Sequence, residues 1–199
     1  KVKCQAEVVI GNGAECEPLL RVDQQLMERY ADDVAKGLQA VMDVTGAKRG
    51  VIALKEHYHG AVSALEKAIQ GKSGVSLHLM KGYYPAGDEQ QIVYEVTGRV
   101  VPTGGLPLDV GAVVNNVNTL INIANALDGK PVTDKYVTVS GEVASPVTLK
   151  VPIGTPLRTL IAAAGGPASE QGYTLIIGGP AMGYLCHDWD APVTKTTGG

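Results

Sequence analysis

The sequence predicts an α/β chain in two parts: a parallel-sheet domain, then a small strand–strand–helix–strand module. Three observations carry that prediction. Short apolar runs (Val8-Val9-Ile10, Val51 to Leu54, Val75 to Met80) alternate with stretches of helical periodicity. Such alternation implies parallel strands joined by right-handed crossovers. Asp128-Gly129-Lys130-Pro131 then interrupts the pattern, and the spacing beyond it changes to that of a hairpin.

The elements follow in order. Val8 to Ile10 is a strand stopped by Gly11-Asn12-Gly13. Val22, Leu26, Tyr30, Val34, Leu38 and Val41 keep one helical face, with Asp23 as the N-cap and Gly46 as the stop. Val51 to Leu54 is a second buried strand, Ala61 to Ile69 a helix closed by Gly71, and Val75 to Met80 a third strand. A loop from Gly82 to Glu89 leads to a short helix over Gln90 to Val96, and Pro102 to Pro107 is a Gly/Pro-rich connection. Val113 to Asn116 feeds a helix carrying Val117, Leu120, Ile121, Ala124 and Leu127. Past the break, Tyr136 to Val143 pairs with Val147 to Val151 across Ser145-Pro146. Pro156 to Ala164 is a helix and Tyr173 to Ile177 a returning strand, a β-grasp-like module small enough to fold alone. The expected domains are residues 1–130 and 131–190. Residues 191–199 would begin a linker.

Composition narrows the function. With 17 basic and 20 acidic residues the net charge is −3, against a nucleic-acid or anionic-membrane surface, since both require clustered cations. No apolar run is long enough to span a bilayer. The three cysteines, Cys4, Cys16 and Cys186, form no C-x-x-C, so no zinc or iron–sulfur site arises from local sequence. A reducing, cytoplasmic location fits, at most peripheral to a membrane. Neither end has the look of a natural terminus, and a fragment of a longer protein is expected.

Three loop clusters lie at strand ends or helix starts, where open α/β sheets bind ligands. They are Asn12-Gly-Ala-Glu-Cys-Glu-Pro18, Tyr84-Pro-Ala-Gly-Asp-Glu89 and Asn115-Asn-Val-Asn-Thr119. Carboxamides and carboxylates suit a ligand bearing hydroxyls and amides; a bare phosphate would be repelled by the acidic residues. Each residue also has a plain structural use, because Asn and Asp cap helices and N-G marks turns. No G-x-G-x-x-G or Walker loop is present. His57, His59, His78 and His187 read as surface or packing residues, and Cys16 as a packed thiol with no basic residue within four positions.

These clusters, with Pro102-Thr-Gly-Gly-Leu-Pro107 and Val114-Asn-Asn-Val-Asn-Thr-Leu120, occur in the order seen in one family. The chain resembles the C subunit of the Rnf electron-transport complex. Relatives of that protein include a cobalamin reductase, the electron carrier of proline reductase and the NADH-binding flavoprotein subunit of complex I. Residues Tyr136 to Met182 resemble the soluble-ligand-binding β-grasp (SLBB) domain that follows in these proteins. The resemblance covers nearly the whole chain.

The resemblance implies a Rossmann-like domain that holds flavin mononucleotide (FMN), accepts hydride from NADH and passes single electrons to 4Fe-4S clusters. The clusters belong to a cysteine run expected beyond Gly199, and a Gly-rich flavin loop is expected before Lys1. By the same resemblance Asn12 contacts the flavin, and Glu15 belongs to the cofactor-binding set. Tyr84, Gly87 and Asp88 wall the flavin, while Asn115, Asn116 and Thr119 hold its ribityl and phosphate side. Glu17 and Glu89 face the nicotinamide nucleotide. Asp88 and Asn118 stand where the complex I relatives often carry Glu. No catalytic residue and no metal ligand is expected in this stretch, because hydride transfer depends on stacking and distance. The partners implied are NADH and other subunits of a reductase or electron-transport complex. The competing expectation is a non-catalytic docking module that holds a partner protein or a corrinoid through its β-grasp domain.

Overall fold

The computed structural model describes residues 6–167 and 172–199. Cys4 lies outside them. The chain divides into two compact units at Pro131–Val132, with one exchange: the short segment Glu17–Val22 belongs to the second unit, not the first.

The first unit is a four-stranded parallel sheet of β1 (Val8–Asn12), β2 (Arg49–Lys55), β3 (Val75–Met80) and β4 (Ala112–Asn116), in the order β3-β2-β1-β4. The chain moves outward from β1 to β2 to β3, then returns across the sheet to set β4 on the other side of β1. With right-handed crossovers, outward and return connections must lie on opposite faces. On one face α4 (Glu89–Thr97) buries Ile92, Val93 and Val96 against Val8, Ile10, Val51 and Ala53. On the other lie α2 (Ala31–Thr45), α3 (His59–Ile69) and α5 (Val117–Leu127), with α2 packed on both α3 and α5. The two central strands, β1 and β2, read as apolar runs because both of their faces are covered.

Two expectations change here. The helix expected from Val22 to Val41 is two helices, α1 (Val22–Arg29) and α2, divided at Tyr30 by its backbone angles of φ −128° and ψ 35°. Tyr30 still donates its amide to Leu26 and accepts from the Val34 amide. The apolar periodicity therefore runs through the bend unbroken, and sequence alone gives no sign of it. Asp23 is not an N-cap either. It sits inside the first turn of α1, buried, and accepts a 2.7 Å hydrogen bond from Asn116 Nδ2. Gly46 does end α2, in the left-handed conformation at φ 76°.

The second unit pairs β5 (Asp134–Val139) with β6 (Val147–Pro152), and β7 (Leu175–Ile177) with β8 (Tyr184–Cys186), both antiparallel. Helix α6 (Leu157–Ala163) closes a core of Val137, Leu157, Leu160 and Val193, flanked by Leu149, Leu175 and Ile177. Strand β5 stops at Val139, short of the expected Val143. The returning strand pairs with β8, an element the pattern did not announce; Gly178 and Gly179, at φ 95° and 98°, give the reversal that only glycine adopts easily. The expected linker is also corrected. Val193 is in the core, and the carbonyls of Gly198 and Gly199 accept from Thr138 and Gly178, so residues 191–199 pack as part of this unit.

The tightest helix contact in the first unit predicts its own sensitivity. A Cβ on Gly37 would lie 2.0 Å from the Leu120 carbonyl oxygen of α5. Gly37→Ala gains about 1 kcal/mol of helix propensity but forces α2 and α5 apart, an overpacking cost of about 1–3 kcal/mol. We expect a lower urea midpoint by far-UV circular dichroism. A midpoint above the parent's would show that the crossing relaxes freely.

Candidate functional site

The strand order reverses between β1 and β4. In an open parallel sheet, a crevice opens at such a reversal, beyond the carboxyl ends of the strands, because the flanking connections leave on opposite faces. The residues at that edge are Gly11 and Asn12 of β1, paired with Asn115 and Asn116 of β4. All three loop clusters meet the sheet on this side, since the strands are parallel and each cluster follows or ends a strand.

The first two clusters are stitched together. Asn12 Nδ2 donates to the Gly87 carbonyl at 2.9 Å, and Asn12 Oδ1 accepts from the Ala14 amide at 3.1 Å. The Gly87 amide in turn donates to Cys16 Sγ at 2.7 Å. A Cβ on Gly87 would stand 2.0 Å from the Ala14 carbonyl oxygen, so only glycine permits the approach. Asn12 and Gly87 thus hold the two loops together. Burial pushes the Cys16 thiol up from its ordinary value, against smaller opposing effects of the Gly87 amide and the Lys55 charge. It is a packed thiol.

The third cluster separates two adjacent carboxamides. Asn116 is the N-cap of α5: its Oδ1 accepts from the Asn118 amide at 2.8 Å and its Nδ2 is held by Asp23. Among the described residues, the Asn115 side chain makes no hydrogen bond. Thr119 is exposed in the first turn of the same helix. Asn118 is buried. The first-turn amides of α5 are oriented towards the edge where β4 ends.

Asp88 and Glu89 divide in the same way. Asp88 caps α4, its Oδ1 accepting from the amides of Gln90 and Gln91 at 3.0 Å each. Glu89 is exposed, and its carboxylate has no hydrogen-bond partner among the described residues. Tyr84 is 57% exposed at the start of the second cluster. Glu15 is half-buried on the first loop. Glu17, assigned by resemblance to the nicotinamide nucleotide, lies in the second unit and accepts from the amides of Ala181 and Met182.

Lys55 was not among the expected residues. It ends β2 on the carboxyl side of the sheet, half-buried, with its ammonium 5.9 Å from the centre of the Tyr58 ring. Its sequence signal was available: it is the residue that closes the apolar run Val51 to Leu54. His57 packs edge-on against Tyr58, and His78 lies 3.7 Å from Glu95, consistent with the packing and surface roles expected. No cluster of metal-ligating side chains occurs among the described residues, and none of their helices is long and apolar enough to cross a membrane.

Two measurements follow from this geometry. Asn116→Ala removes a helix cap and the partner of Asp23, and should cost about 1 kcal/mol or somewhat more in urea unfolding. Asn115→Ala should stay within about 0.5 kcal/mol of the parent, because its half-buried side chain makes no hydrogen bond among the described residues. Equal losses would mean that Asn115 is also a structural contact. Because burial raises Cys16, its thiolate is scarcer at pH 8 than that of an ordinary cysteine. Iodoacetamide should modify it more slowly than the unfolded chain, accelerating only at higher pH, as followed by peptide mass spectrometry.

Comparison with known proteins agrees with this division. Residues 1–125 match the Nuo51 FMN-binding domain, and residues 136–185 match the SLBB domain. The chain is 49% identical over 200 residues to the cobalamin reductase PduS of Salmonella typhimurium, covering 100% of this chain and 44% of that protein. It is 40% identical over 201 residues to a subunit of the Na(+)-translocating ferredoxin:NAD(+) oxidoreductase complex of Acetobacterium woodii, again covering 100% of this chain and 44% of the relative. The chain therefore spans less than half the length of these relatives. In fold it is similar to a chain of an NAD+-reducing [NiFe]-hydrogenase, with a TM-score of 0.76 at 23% identity, over 99% of this chain and 40% of that one. With the strand-order reversal, the stitched loops and a family match over 125 consecutive residues in agreement, the chain belongs to the Nuo51 FMN-binding domain family and carries an SLBB domain after it.

Proposed function

We propose that this chain is the FMN- and NADH-binding part of an electron-transfer oxidoreductase, acting with iron–sulfur clusters carried elsewhere in a longer protein or complex. The observation that carries this reading is the unengaged donor set at the strand-order reversal. Asn115 and Thr119 retain hydrogen-bonding capacity beside the N-terminus of α5, while Asn12 and Asn116 are held by protein partners.

That donor set fits the group. A carboxamide and a hydroxyl pair with ribityl hydroxyls, which both donate and accept. The first-turn amides of α5 favour a phosphate through the helix dipole. Lys55 adds a nearby cation. FMN, when bound, takes two electrons as hydride and releases them singly. The protein's own residues have other tasks. Asn12 and Gly87 keep the loop wall in place, Asn115 and Thr119 orient the ribityl side, and Glu89 offers its carboxylate to ribose hydroxyls of the nicotinamide nucleotide. No side chain is required to move a proton. The relatives' printed names, a cobalamin reductase and a component of a ferredoxin:NAD(+) oxidoreductase complex, support the same electron-transfer class. Partner subunits and a cytoplasmic location accord with it.

A second reading has one observation in its favour. The second unit has a cavity of about 560 Å³, mainly apolar, lined by residues that include Leu20, Val137, Leu160, Leu175 and Trp189. This suits a docking or ligand-holding role for the SLBB unit.

In the full-length protein, Asn115→Asp should sharply lower FMN content and affinity while the apoprotein keeps its melting temperature, because the new charge cannot donate and repels the phosphate. Parental flavin content would remove Asn115 from the site. Glu89→Ala should raise the NADH dissociation constant about tenfold to a hundredfold with FMN content unchanged, as expected for a lost charge-assisted hydrogen bond of about 1.5–3 kcal/mol. Loss of both ligands together would make Glu89 structural.

A further inference from the structure

Tyr83 opens the loop that joins the edge strand β3 to α4, and its phenol spends both of its hydrogen-bonding capacities on that helix. The hydroxyl donates to Glu95 Oε1 at 2.8 Å, and its oxygen accepts from Gln91 Nε2 at 3.0 Å. Gln91 and Glu95 stand 4 residues apart on one face of α4, so a single side chain bridges both. The other carboxylate oxygen of Glu95 lies 3.7 Å from Nε2 of His78 on β3. Side chains of strand, loop and helix are thus joined, and all of them belong to the first unit.

The loop is held again further on. The Tyr83 carbonyl accepts from the Ala86 amide at 3.2 Å, the Pro85 carbonyl accepts from the Asp88 amide at 2.8 Å, and the Gly87 amide donates to Cys16 Sγ. Ala86 is fully buried. Tyr84 stands between these fixed points. It is exposed, and its phenol has no hydrogen-bond partner among the described residues. Since no hydrogen bond holds its side chain, the place of the Tyr84 ring follows from the backbone on either side.

We propose that Tyr83 is a positioning residue. Through Gln91 and Glu95 it clamps the start of the second loop to α4, and the clamp sets where Tyr84 stands against the flavin. Tyr83 itself touches no ligand; the contact belongs to Tyr84. This rests on the reading of the second loop as part of an FMN site, so the test separates the two.

The experiment uses the full-length protein. Tyr83→Phe keeps the ring and removes both hydrogen bonds. Without added ligand, exchange of the Ala86 and Asp88 amides should speed about threefold to tenfold, as expected for the loss of an ordinary hydrogen bond. Glu95→Ala should do the same, whereas Glu95→Gln retains an accepting oxygen for the phenol and should exchange like the parent. After FMN removal, retitration followed by flavin fluorescence should give a dissociation constant raised about threefold to tenfold in Tyr83→Phe. In a Tyr84→Ala background the same substitution should add nothing, because Tyr83 acts through Tyr84. Parental exchange in Tyr83→Phe overturns the clamp. Faster exchange with parental FMN affinity overturns the positioning role, and so does an undiminished effect of Tyr83→Phe beside Tyr84→Ala. If the parent itself binds no FMN, the flavin reading fails and the positioning role with it, and exchange in Tyr83→Phe still decides whether the clamp exists.

Discussion

The constraint on which the first unit depends is the handedness of its crossovers. Once β1 is followed by a connection that leads to β2 and β3 on one side, the return to β4 must cross on the opposite face of the sheet. That places α4 on one face and α2 and α5 on the other, and it sets the reversal of strand order between β1 and β4. Asn12 and Asn115 reach this edge through strand register, and the Gly87 loop reaches it through its hydrogen bonds with Asn12 and Cys16. The packing on either side has little slack, as Gly37 against Leu120 and Gly87 against Ala14 illustrate.

Within that frame, hydrogen-bond satisfaction divides residues that the sequence presents as equals. The protein itself satisfies several of the candidates. Asn12, Asp88, Asn116 and Glu17 are each held by backbone amides or carbonyls or by another side chain. They hold the loops in place. Asn115, Thr119 and Glu89 make no side-chain hydrogen bond among the described residues. Residues that look alike in the loop clusters therefore differ in what holds them, and the spacing alone does not separate them.

The SLBB unit shows the same division at a coarser scale. Its helix and its first hairpin follow from apolar alternation and a Ser-Pro turn, yet its last strand and the packing of residues 191–199 do not. Three-residue strands such as β7 and β8 carry too little periodicity to announce themselves, and the terminal segment is held through backbone carbonyls that any sequence supplies. The segment Glu17–Val22 is invisible for a similar reason. Its membership of the second unit is decided by a carboxylate meeting amides far along the chain.

By itself the sequence determined the alternation of strands and helices, the break at Asp128 to Pro131, the glycine stops and the three loop clusters, because these are local properties of period and backbone preference. It also determined that Cys16 would be a packed thiol, from the absence of neighbouring cations. Only the tertiary structure decided that helix 22–41 bends at Tyr30, that Asp23 accepts from Asn116, and that Lys55 comes near Cys16. It alone assigned Asn116 to the cap and left Asn115 open. The physical reason is common to all of these. Each depends on what tertiary packing brings beside a residue, and that is fixed by strand order and helix packing, not by the residues on either side.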